Sequence, residues 1–180
     1  RFPLLCCERI KQACGADFPV EVQLSAEEDI ADPMARFDSL GCAIPRSGAQ
    51  VRGITLDDTI AFARMAVGKV DILQLRGGLV DPSHPTGFTT EETPFLSYAS
   101  AVRRALPEDC GMLVETIGGF QDPNTCEAAL AAGAADLIAM ARTWISNPQY
   151  GKLIQEGRSE DVVPCIRCNK CHQSGGGSPW

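Results

Sequence analysis

Three cysteines, Cys165, Cys168 and Cys171, recur with two residues between each in "VVPCIRCNKCHQ", and His172 follows the third directly. Thiolates repel one another, so thiols packed this closely commonly share a cation or a cluster. C-x2-C-x2-C is the opening of an iron–sulfur loop, whose short spacers let successive sulfurs reach different irons of one cube. Zinc held by these three with His172 as fourth ligand is the rival set. Against it, Cys171 and His172 are adjacent, and zinc ligand pairs generally have intervening residues. The spacing favours iron–sulfur, which then needs a fourth ligand from elsewhere.

Small residues gather at a second kind of position. Gly77–Gly78, Gly118–Gly119 and Ala141–Arg142 each fall just past an apolar run that reads as a strand. Small side chains let backbone N–H groups approach a phosphate, and Arg142 adds a fork of donors. A lone Gly-Gly is more often a tight turn, and the two strand ends with an arginine carry more than either alone.

The elements that must position these residues alternate. Apolar runs at Phe18–Ser25, Val70–Gly78, Met112–Phe120 and Ala135–Arg142 are the predicted strands. Helical patterns separate them. One starts at Thr55 as N-cap, with Asp57 and Asp58 in its first turn, and stops at Gly68. Another has Asp122 as cap, Pro123 at its first position and Gly133 past its end. A third, "TPFLSYASAVRRALP", ends before Pro107, and the opening "RFPLLCCERIKQACG" reads as a helix already under way. The stretch between the first two strands, rich in Pro, Gly and charge, reads as a loop excursion. Strand–helix alternation calls for a parallel sheet with crossover helices, whose ligands sit at the carboxyl ends of the strands.

Composition narrows the class. The 180 residues suffice for one sizeable core, and 44% are apolar. Sixteen basic against twenty-three acidic residues give a net charge of −7, which argues against nucleic acid as a partner. No apolar run reaches the length of a membrane span, so no membrane is expected either. Nine cysteines, an odd number, argue against a disulfide-stapled secreted domain and for a reduced cytoplasm. Cys6, Cys7, Cys14, Cys42, Cys110 and Cys126 read mostly as small buried hydrophobes. With no initiating methionine, the chain is expected to be part of a longer protein, joined to the remainder of the same polypeptide.

Along its whole length the sequence resembles the flavin oxidoreductases of the Old Yellow Enzyme superfamily. It is most similar to the iron–sulfur branch of 2,4-dienoyl-CoA reductase, enoate reductases and trimethylamine dehydrogenase. "DFPVEVQLS", "GGFQDP", "AADLIAMART" and above all "EGRSEDVVPCIRCNKC" carry the likeness. The resemblance implies the C-terminal half of a TIM (β/α)8 barrel, about four βα units, over 1–160. The start of an iron–sulfur cluster loop would occupy 161–180. It implies FMN, with its phosphate held at Gly118, Gly119, Ala141 and Arg142, and a [4Fe–4S] cluster on Cys165, Cys168, Cys171 and a further cysteine. FAD and NAD(P)H are expected in a C-terminal region beyond this chain.

In the pattern matched by "VEVQLS" the family commonly has an arginine against the flavin's pyrimidine side, where this chain has Gln23. Glutamine keeps hydrogen bonding but brings no charge; a strand glutamine facing solvent is the other reading. His84, in "RGGLVDPSHPTGF", falls in the loop from which reductase relatives polarise a substrate carbonyl, although a turn or surface role suits a loop histidine too. The implied activity is NAD(P)H-dependent reduction of an activated C=C bond on a small-molecule substrate. The alternatives are amine oxidation of the trimethylamine dehydrogenase kind, or a half-barrel with no activity of its own.

Overall fold

The computed structural model describes residues 1–27, 53–77, 93–168 and 171. Helix α1 (Phe2–Cys14) leads into strand β1 (Glu21–Ser25), then α2 (Leu56–Ala66), β2 (Ile72–Arg76), α3 (Leu96–Ala105), β3 (Leu113–Ile117), α4 (Pro123–Ala131) and β4 (Leu137–Ala139). Two short helices follow, α5 (Arg142–Ser146) and α6 (Tyr150–Gln155), and then a 3-10 turn at Ser159–Asp161. The strands form one parallel sheet in the order β1-β2-β3-β4. Sequential parallel strands joined by helices on one face are the layout of a partial α/β barrel. The predicted excursion between β1 and α2 lies mostly outside the described residues, as do His84, His172 and Cys42.

Period-two alternation sorts the strand residues into two faces. Leu73, Leu75 and Val114 are fully buried against Ala63, Ala99 and Val102 of α2 and α3, and Val22 and Leu24 of β1 pack on the same core. The opposite face is polar. Register sets Gln23 beside Gln74 and Gln74 beside Glu115, and the side chains bond in a row across three strands. Gln74 Nε2 also donates to Glu21 Oε1 at 3.0 Å. Burial pushes the Glu115 carboxyl above its ordinary range; the Gln74 amide pulls the other way, and the Glu21 carboxylate adds to the rise. In a barrel this face is the interior, where alternate strands contribute layered side chains.

Local chemistry explains the helix starts. Thr55 Oγ1 accepts from the Asp58 N–H at 3.3 Å while the Asp58 carboxylate accepts from the Thr55 N–H at 3.0 Å, a reciprocal capping box. Asp122 accepts from the N–H groups of Asn124 and Thr125, with Pro123 in the first turn. The strands are shorter than the apolar runs that announced them; Pro19, for one, has no N–H to give a ladder.

One device is used twice to set strand against strand. Asp71, just before β2, accepts the Val20 N–H at 2.7 Å and the Lys11 ammonium at 2.9 Å. Asp136, just before β4, accepts the Val114 N–H at 2.8 Å and pairs with Arg103 at 3.2 Å. The Lys11 bond and then the Val20 N–H hold the Asp71 carboxyl below its ordinary range. A lowered carboxyl stabilises the fold above its unfolded pKa, and that stability disappears as pH falls through the folded value. Asp71→Asn is therefore expected to cost about 1 kcal/mol at neutral pH, the figure allowing for solvent screening of a half-exposed pair. The difference from wild type should vanish in acid; a pH-independent difference in urea midpoint would exclude the ion pair as its cause.

The expectation for the scattered cysteines needs correction. Cys7 is buried, but Cys6 and Cys14 are exposed and Cys110 and Cys126 half-buried. Helix α1 buries only the face carrying Leu4 and Cys7, so its other thiols are left outside.

Candidate functional site

The carboxyl ends of all four strands open into one cleft of about 180 Å³. From β1 and β2 come Gln23, Arg76 and Gly77; from the end of β3, Ile117 through Gln121; from the end of β4, Ala139 through Thr143. Cys165 and Arg167 of the cysteine segment close one side, and Phe95 lies among them.

Each part is placed by a local cause. After Ile117 the chain must turn sharply to reach the Asp122 cap, and it does so through Gly118 at φ 115° and Gly119 at φ 72°. Both values lie in the region that L side chains avoid. Phe95 is almost fully buried against this turn. A Cβ on Gly118 would come within 2.8 Å of the ring's Cδ2, and one on Gly77 within 2.3 Å of its Cε1. The two glycines thus make room for a single aromatic wedge. The Thr143 hydroxyl, buried in α5, donates to the Phe120 carbonyl at 2.6 Å and ties the β4 end to the β3 turn. Asp122, in capping α4, has its carboxyl lowered, first by the Thr125 hydroxyl.

The cysteine segment is tied to the same turn. Arg167, a non-glycine at φ 55°, donates from Nη2 to the Gly119 carbonyl at 3.1 Å, and its backbone N–H donates to Cys165 Sγ at 3.4 Å. Underneath, Tyr150 is buried edge-on to Trp144, with ring centroids 5.6 Å apart. Burial raises its phenol, and neighbouring Cys126 adds to the rise.

Of the residues singled out in the sequence, Gln23, Gly118, Gly119, Ala141, Arg142 and Cys165 all line the cleft. Cys168 is exposed and Cys171 half-buried, and among the described residues no three His, Cys, Asp or Glu side chains converge as a metal-holding group. His84 lies outside the described residues. Arg76, Phe95 and Arg167 were not foreseen. Period-two spacing from Gln74 was the available signal for Arg76, and its place between two cysteines was the signal for Arg167.

A parallel α/β sheet whose glycine turn, arginines and small residues meet at the carboxyl rim has the layout of a ligand site of the α/β-barrel class. The chain belongs to the NADH:flavin oxidoreductase / NADH oxidase family, whose model matches residues 1–161. The NADH oxidase of Thermoanaerobacter brockii is 28% identical over 174 residues, covering 94% of this chain and 23% of the relative. The cinnamate reductase of Clostridium sporogenes is 25% identical over 176 residues, covering 94% and 24%. Histamine dehydrogenase from Rhizobium sp. 4-9 superposes with a TM-score of 0.72 at 25% identity, over 95% of this chain and 22% of that one. The resemblance to flavin oxidoreductases of the Old Yellow Enzyme kind thus holds, and the chain spans about a quarter of its relatives' length. Among the described residues, no helix is long and apolar enough to cross a membrane.

Proposed function

We propose that the chain supplies the phosphate end of an FMN site and the first ligands of a [4Fe–4S] cluster in an NAD(P)H-dependent ene-reductase. The activity is that of the whole protein, with FAD, NAD(P)H and the rest of the barrel provided by the remainder of the polypeptide. The observation that carries this is the meeting of the Gly118–Gly119 turn, Ala141–Arg142 and Cys165 on one cleft.

The residues present fit FMN. Two glycines of positive φ leave backbone N–H groups approachable, and Arg142 lines the cleft beside them. A bound FMN supplies hydride transfer between its ring N5 and the β-carbon of an activated alkene. The chain's own tasks are simpler. Arg142 and the glycine turn hold the phosphate, and Gln23 offers an amide to the ring. Phe95 fills the space beneath and keeps water out. His84 is the proposed donor to the substrate carbonyl, which must be polarised for the alkene to accept hydride. Cys165, Cys168 and Cys171 offer three soft sulfurs, the donor set of an iron–sulfur cube, with a fourth cysteine from outside the motif. Eight free cysteines among the described residues accord with a reducing, cytoplasmic setting.

Cinnamate reductase among the relatives supports a conjugated enoate as substrate. The likeness to histamine dehydrogenase supports amine oxidation as the second reading. Mixing the intact holoprotein anaerobically with NADH or with an amine separates them: bleaching of the flavin by NADH, reversed by cinnamate, is expected. Bleaching by the amine alone would reverse the assignment. At the phosphate end, Arg142→Ala should raise the FMN dissociation constant about 10- to 100-fold, the worth of one charge-assisted bond. Unchanged uptake by the apoprotein would remove Arg142 from the site.

A further inference from the structure

The charge of the cleft runs against that of the chain. The sequence carries a net charge of −7, yet the charged groups lining the cleft are three guanidiniums, Arg76, Arg142 and Arg167, with no Asp or Glu among the lining residues described. Like charges gathered in a concave, partly desolvated site repel one another unless anionic groups lie between them. Arg142 stands beside the phosphate turn, and Arg167 is engaged with the Gly119 carbonyl. Arg76 comes from a different element, the end of β2.

Arg76 is the last residue of β2, in register with Ser25, and is exposed at the rim. Alternation puts it on the same face as Gln74, which bonds to Gln23. Among the described residues no carboxylate pairs with its guanidinium. Neighbouring strands lie roughly 4.8 Å apart, so the β1–β2 rim is roughly 10 Å from the β3–β4 phosphate turn. A cofactor anchored by its phosphate at that turn and lying along the cleft would have its ring within reach of Gln23 and Arg76, which line the same cleft.

We propose that Arg76 faces the pyrimidine edge of the FMN ring and supplies there the positive charge that Gln23 lacks. The proposal rests on the FMN reading above. That edge gains negative charge when the flavin is reduced, and charge placed beside it tunes the ring's electronics. Glutamine can hydrogen-bond the same edge but adds no charge. The cation therefore stands one strand over, on β2.

Sulfite reports this directly. Its sulfur lone pair forms a bond to N5 of the oxidised ring, nothing leaves, and the electron pair displaced from the ring settles as negative charge at the pyrimidine edge. Titration of the intact FMN-loaded protein, followed by flavin absorbance, should show sulfite affinity about tenfold weaker in Arg76→Gln. Arg76→Lys should stay within about threefold of wild type, and adding Gln23→Arg to Arg76→Gln should restore the affinity. Equal sulfite affinity in wild type and Arg76→Gln, with FMN retained, would overturn the proposal. So would equal losses in Arg76→Gln and Arg76→Lys, since charge would then be irrelevant. A wild-type apoprotein that takes up no FMN would instead overturn the functional reading beneath it.

Discussion

Alanine at Gly118 is expected to cost the fold about 3 kcal/mol and to empty the cleft of FMN, the cost combining backbone strain with overpacking. The backbone there sits at φ 115°, where a Cβ is strained whatever the surroundings. The surroundings are also closed. The new methyl would lie 2.8 Å from Phe95 Cδ2 and 3.0 Å from its Cε2. Phe95 cannot retreat toward β2, because the α-carbon of Gly77 already holds the ring's other edge so closely that a Cβ there would meet it at 2.3 Å. Relief would come from a shift of the turn itself, and with it of the backbone N–H groups proposed to hold the phosphate. For a domain of this size the loss corresponds to a fall in Tm of roughly 6–12 °C.

A second substitution separates the two causes. In a Phe95→Ala background the clash is gone, so Gly118→Ala should cost only the backbone share, about 1–2 kcal/mol. FMN uptake by the intact apoprotein and its thermal midpoint are the readouts. Full uptake and an unchanged midpoint in Gly118→Ala would show that the turn is neither strained nor used.

Why this turn was legible in the sequence, while other parts of the site were not, is a matter of range. "IGGF" before "QDP" announces strand end, turn and cap within a few neighbouring residues, and all three form as written. Thr55 with Asp58 is equally local. Arg76 is not: a residue ending an apolar run can point to either face, and only the pairing of Gln23 with Gln74 settles which. Phe95 is further still from legible, since its place depends on the absence of side chains at two glycines that follow different strands. The cysteines of α1 failed for a related reason. Burial of a free thiol is a tendency of the residue type, whereas exposure is set by which stripe of the helix meets the sheet. The spacing of Cys165, Cys168 and Cys171 proposed a shared ligand, and what tertiary structure adds is the Arg167 bond that brings the first of them to the cleft at the strand ends.

That bond makes the cysteine segment accessible to a sharp test. Cys168→Ser in the intact protein is expected to remove the cluster entirely, taking iron from about four atoms per chain to near zero together with the broad thiolate-to-iron absorption. Serine keeps the size of the side chain but replaces a soft, readily ionised sulfur with a hydroxyl that stays protonated, so the loss reflects ligation and not packing. Cys168 is exposed, which leaves little packing to disturb. Cys14→Ser, an equally exposed thiol on α1, should keep its full iron content and serves as the control. Because Arg167 holds the segment through Gly119, FMN uptake in Cys168→Ser should persist and weaken only a few-fold. A four-iron cluster surviving in Cys168→Ser would remove that residue from the ligand set. Stoichiometric zinc in place of iron in the wild-type protein would restore the Cys3His alternative, and with it remove the cluster from the proposed function.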